Sequence, residues 1–114
     1  MDKVYTDLQF AENEFFRAYN LALKMAGSVE GTRARVEKIR NESELEESEL
    51  YAELQHGIKS AAEQTQIAPQ AELDGSTGDR TEIAIEFLRK QYAAKRTAVL
   101  GATTIKLRAV ALGR

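Results

Sequence analysis

Clusters of structure-breaking residues fall at two places in this chain, and they cut it into three segments. The only proline, Pro69, sits in IAPQAELDGSTGD with Gly75 and Gly78. Gly27, Ser28 and Gly31 form the other cluster. Proline removes a backbone donor, and glycine gains little from a helical conformation, so such clusters end helices. The segments between them are rich in Ala, Glu, Leu, Lys, Arg and Gln, which favour helix. At 114 residues the chain predicts one domain, spanning 1–114.

The first segment carries Val4, Leu8, Ala11, Phe15, Ala18, Ala22 and Met25 in alternating steps of four and three. That period predicts an amphipathic helix over about residues 2–26, capped by Asp2. Tyr5, Phe16, Tyr19 and Leu23 widen the apolar stripe, whereas Phe10 and Leu21 point to the back of the helix. Two large apolar groups on a back face imply a neighbour beyond a simple hairpin. The second segment, about 32–66, places Val36, Ile39, Leu50, Leu54, Ile58 and Ala61 on one face. Within it, NESELEESE (41–49) nearly loses the apolar signal. This stretch is expected to project beyond the core, to be the hydrated part of a coiled coil, or to turn.

A linker is expected over 67–79, with Asp79 and Glu82 at capping-box spacing opening the third helix, about 80–112. There Ile83, Phe87, Leu88, Tyr92, Ala94, Ala98 and Val99 cover half the circumference, a face broad enough for two neighbours. After Gly101, ATTIKLRAVALGR fits helix and strand patterns about equally, and helix is the reading adopted. The fold expected is all-α: an antiparallel hairpin of a short helix 1 and a long helix 2, plus a third helix after a flexible linker, bundled within an oligomer.

Charge is partitioned along the chain. Residues 1–36 are balanced, residues 37–74 carry ten acids against three bases, and residues 80–114 carry two acids against eight bases. The simplest expectation is that the acidic and basic segments attract each other, within a subunit or between subunits. A basic arm for nucleic acid is the alternative, through Arg89, Lys90, Lys95, Arg96, Lys106 and Arg108, although these bases scatter around the helix instead of lining one face. The absence of cysteine removes disulfides, cysteine nucleophiles and thiolate metal sites. No apolar run approaches the ~18 residues of a membrane span. MDKVYTDLQF has no signal-peptide core, so a cytoplasmic protein is the default expectation. Signal-independent export or incorporation in a particle is left open.

The sole histidine, His56, lies in ELYAELQHGIKSAAEQ. Glu49, Glu53, His56, Ser60 and Glu63 form one stripe beside the apolar one. Carboxylate and imidazole suit iron, manganese or zinc. Glu53-x-x-His56 resembles the half-site of ferritin-like paired-metal proteins over those four residues. The resemblance implies completion by a second subunit, with Glu12 or Glu14 as a further carboxylate. An ordinary solvated helix face is the competing explanation. DGSTGDR (74–80) lacks the lysine and spacing of a nucleotide loop, and it does not match a calcium loop.

The leading expectation is therefore a non-enzymatic, homo-oligomeric assembly, adaptor or scaffold protein without cofactor, acting on itself and on another protein through helix–helix interfaces. The expected anchors are Phe10, Phe15, Phe16, Tyr19, Leu21, Phe87, Leu88 and Tyr92. The alternatives are the metal-binding bundle and the nucleic-acid binder.

Overall fold

The structure is a computed structural model that describes residues 2–67 and 76–113, with side chains described over 2–64 and 80–113. It is all-helical: α1 spans Lys3–Ala26, α2 Glu30–Ile67 and α3 Ser76–Ala111. Asp2 accepts from the Val4 amide at 3.0 Å and so satisfies one of the unpaired donors of α1. Gly27 ends the helix at φ 55°, a conformation that side chains with a Cβ resist, and its amide bonds back to the Leu23 and Lys24 carbonyls. Arg33 then donates to the Gly27 carbonyl at 3.0 Å and ties the turn to α2.

α2 runs unbroken through the polar stretch 41–49, so the turn weighed there does not form. Neither does the stretch project from the core: Ser43 is buried and Glu47 faces Arg96 of α3 at 2.6 Å. A polar seam can be packed when a cation from the neighbour meets it. α3 begins at Ser76, one turn before residue 80, so Asp79 lies inside the helix instead of capping it. Most of the predicted linker, residues 68–75, lies outside the described residues, and so do Asp74 and Gly75 of DGSTGDR, whereas its residues 76–80 form the start of α3.

Beyond Gly101 the chain stays helical to Ala111. The threonines that lean towards strand are accommodated by back-bonding. Thr103 and Thr104 are buried, and their hydroxyls donate to the Val99 and Leu100 carbonyls at 2.9 and 2.8 Å.

α3 is the central helix. Asp2, Glu12 and Glu14 of α1 meet Lys90, Arg96 and Arg108 in rising order, so α1 and α3 are parallel. Glu47, Glu53 and Gly57 of α2 meet Arg96, Lys95 and Leu88 in falling order, so α2 is antiparallel to both. The hairpin of α1 and α2 thus has the expected directions, but α3 packs far more extensively on each than they do on one another. The Cα envelope is a flattened rod of 65 × 25 × 16 Å.

The core lies where three helices overlap. Ala18 and Ala22 of α1, Val36 of α2, and Leu107, Val110 and Ala111 of α3 are buried together, with Phe15, Tyr19, Leu23 and Ile39 packed against them. Small residues on α1 allow the axes to approach closely. Towards the other end α1 has stopped, and α2 and α3 continue as a pair. There Gly57 lets Leu88 in, since a Cβ at this position would lie 3.2 Å from Leu88 Cδ1.

Tyr19 fastens α1 to α2. Its hydroxyl donates to Glu37 at 2.5 Å and accepts from Arg40 at 3.1 Å, and the Arg40 guanidinium lies over its ring. The bond to Glu37, with burial adding to it, holds the hydroxyl's pKa above its ordinary 10.0. A folded-state pKa raised in this way contributes stability that is complete below the unfolded value and lost as pH rises through the folded one. Urea midpoints of the wild type should therefore fall more steeply between pH 9 and pH 11 than those of Tyr19→Phe; equal slopes would contradict this role. Leu107→Ala, which empties the centre of the core, should cost about 3 kcal/mol in urea unfolding. Leu45→Ala, on the exposed outer face of α2, should stay within about 0.5 kcal/mol.

Candidate functional site

Opposite charges meet across all three helices. Lys90 pairs with Asp2 and Lys95 with Glu53, each at 2.9 Å. Arg108 pairs with Glu14. Arg96 reaches two helices at once, Glu47 at 2.6 Å and Glu12 at 3.3 Å, with its side chain only 28% exposed. Burial opposes its charge, but the Glu47 hydrogen bond and the carboxylates of Glu47 and Glu12 outweigh it and raise its pKa. Lys90 likewise holds the Asp2 carboxyl below its ordinary range, mainly through their hydrogen bond. Four of the six bases singled out in the third segment are therefore engaged with carboxylates of the same chain. Arg89 and Lys106 are exposed.

Glu49, Glu53 and His56 lie on the exposed side of α2, and Glu53 is held by Lys95. Among the described residues, no group of three or more His, Asp or Glu side chains converges as a metal ion would require. Glu12 and Glu14 point to Arg96 and Arg108, not to His56. No described helix is long and apolar enough to cross a membrane.

The eight expected anchors divide into two sets. Phe15 and Tyr19 pack on the core as a stacked pair with ring centroids 6.3 Å apart. Leu88 covers Gly57, and Tyr92 meets Tyr51 edge to face. These four join the helices within the chain. Phe10, Phe16, Leu21 and Phe87 are instead exposed.

Phe87 belongs to a longer feature. At about 100° per residue, Ile83, Phe87, Ala94, Ala98, Gly101, Ile105 and Leu112 fall within about 60° of one another on α3. Ile83 is 70% exposed, Phe87 60%, Ile105 68% and Leu112 69%. Ala94 and Ala98 are exposed as well. The stripe lies on the side of α3 away from the buried Leu100 and Leu107, and Lys90 and Arg108 border it. Phe10, 66% exposed, extends it sideways by lining one groove with Gly101, Ile105 and Arg108 between α1 and α3. Half of the broad apolar face of α3 is thus covered by α1 and α2, and half faces outwards.

Sequence reasoning located Ile83, Phe87, Ala94 and Ala98 but missed Ile105 and Leu112. The signal was present in the steps Ala98, Gly101, Ile105, Arg108 and Leu112, which repeat three, four, three and four. Treating Gly101 as a boundary hid that continuity. No protein family, curated protein or solved structure matches this chain.

If Arg96 is the cation that binds all three helices, Arg96→Ala should cost about 1–2 kcal/mol, between the values of exposed and buried ion pairs. Lys106→Ala should leave the urea midpoint unchanged. Equal, negligible effects would show that the three-helix junction does not depend on its cation.

Proposed function

We propose that this chain is a non-enzymatic, self-associating helical assembly or adaptor protein that works through helix–helix interfaces. The observation that carries this reading is the exposed apolar stripe of α3, with Phe10 beside it. Scattered exposed apolar residues are ordinary on protein surfaces, but a stripe in three–four steps interrupted only by Lys90 and Arg108 follows the pattern of a helix-packing seam. Aromatic side chains supply much of the energy of such interfaces, which assigns Phe87 and Phe10 the role of anchors. The bases around the seam have carboxylate partners within the chain, so apolar contact leads and charge sets orientation.

Size exclusion with light scattering on untagged protein should give one defined oligomer of the 12.7 kDa chain at both low and high salt. Phe87→Asp should return it to a monomer while leaving its helix content unchanged. A wild-type monomer at tens of micromolar would overturn the proposal. Dissociation of the wild type by salt alone would transfer the interface from the apolar stripe to the charged segments.

A further inference from the structure

Resting on that reading, we infer that the occupant of the α3 stripe is a second copy of this chain. It packs antiparallel, about a two-fold axis passing between Thr97 and Ala98. Counting the bordering Lys90 and Arg108, eight of the nine positions map onto one another about this point, and Ala98 maps onto Thr97 beside the stripe. In such a pairing Ile83 faces Leu112 of the other copy, Phe87 faces Arg108, Lys90 faces Ile105, and Ala94 faces Gly101. Ile83, Ala94, Gly101 and Leu112 then have counterparts on the stripe itself, and Phe87 and Ile105 have theirs on its border, which approaches the self-complementarity that a two-fold interface requires.

At the ends and at the centre the chemistry of the pairs agrees with the geometry. Large apolar ends meet each other, and small residues meet at the centre, where they let two helices approach closely. Gly101 has open space where a side chain would be. Phe10 shares a groove with Gly101 in its own chain. The pairing therefore brings Phe10 level with Ala94 of the other copy, a bulky ring against a small residue.

Charge selects the direction. A parallel pairing would stack Lys90 on Lys90 and Arg108 on Arg108. The antiparallel one separates these like charges. It lays the Arg108 guanidinium against the Phe87 ring, a favourable cation–π arrangement. Glu86, which neighbours Phe87 and lines the same groove as Lys90, then stands beside Arg108 of the other copy. Lys90 keeps Asp2 and Arg108 keeps Glu14 as partners in their own chain, so the seam is closed without leaving a bare charge.

The full chain has no cysteine, so introduced thiols report the register directly. Ala94, Ala98 and Gly101 face outwards or have room for a side chain, which allows each to become cysteine without disturbing the fold. In the antiparallel register Ala98→Cys alone should oxidise to a covalent dimer. Neither Ala94→Cys nor Gly101→Cys should do so alone, because like positions stand about 10 Å apart along the axis, beyond the ~7 Å Cα span of a disulfide. An equimolar mixture of these two variants should crosslink, with covalent dimer raised at least tenfold over either alone.

Each other outcome overturns the inference in a distinguishable way. Self-crosslinking of all three single variants would mean a parallel pairing. A dimeric mass in light scattering with no crosslink at any of them would mean that the copies meet through another face, leaving the self-association reading intact. A monomeric mass with no crosslink would remove both readings and assign the stripe to a different protein.

Discussion

Arg96 is the side chain on which the alignment of the three helices depends. Its planar guanidinium can donate in several directions at once, and here it meets Glu47 of α2 and Glu12 of α1 from the middle of α3. If α2 slipped by one turn, Arg96 would face Ser43 or Tyr51, neither of which is a carboxylate. Sliding α1 by one turn would present Leu8 or Phe16. An apolar core built largely from alanines resists such slips weakly, because one alanine fills another's place at little cost. The polar junction gives up some stability and in return specifies register, as buried polar residues do in coiled coils. Ser43 lies one turn away on α2, and its hydroxyl is buried without a hydrogen-bond partner among the described residues.

The helices were legible in the sequence wherever apolar spacing is the deciding signal. α1 is visible from Val4 to Met25, and its end is marked by Gly27, whose positive φ explains why that residue stands there. The route of α2 through NESELEESE was not legible. Periodicity counts apolar residues, and the residues facing inward there are Ser43 and Glu47. For Glu47, only Arg96, far along the chain, makes the inward position acceptable. The centrality of α3 was hidden for a related reason. A broad apolar face announces two neighbours without saying which they are, and here they are α1 and α2, with the outer half of the face left over. Of the candidate anchors, exposure separates Phe10 and Phe87 from Phe15 and Tyr19, although both sets lie on strongly apolar stretches. Sequence cannot make that separation, because it depends on where α3 comes to rest.

The partition of charge also reads differently once the helices are placed. An acidic second segment and a basic third one suggest attraction between two long helices, and Glu47 and Glu53 do meet Arg96 and Lys95. Yet α1, which is balanced overall, contributes Asp2, Glu12 and Glu14 to the same set of bases. Helix dipoles account for only part of this arrangement: Asp2 caps α1 and Arg108 lies in the last turn of α3, but Glu12, Glu47, Glu53, Lys95 and Arg96 pair along the helices. It follows from α3 being flanked on both sides, so that its cations are shared between an acidic neighbour and the acidic edge of a neutral one.

The mismatch in helix length gives the open stripe its geometric logic. α1 has 24 residues against 38 in α2 and 36 in α3, so one end of the rod is three helices thick and the other only two. The thick end contains Leu107, Val110 and the outward-facing Ile105 and Leu112; the thin end contains the outward-facing Ile83 and Phe87. Laid in the same direction, two such rods would stack thin end on thin end and leave it the weaker half of the assembly. Reversing one of them sets each thin end on the other's thick end, so that Ile83 and Phe87 lie against a part of the molecule already made rigid by its own core. A rigid platform loses less conformational entropy when an apolar side chain docks on it. The taper of the molecule and the near-symmetric spacing along α3 therefore favour the same direction for the proposed pairing, one through helix length and the other through residue chemistry.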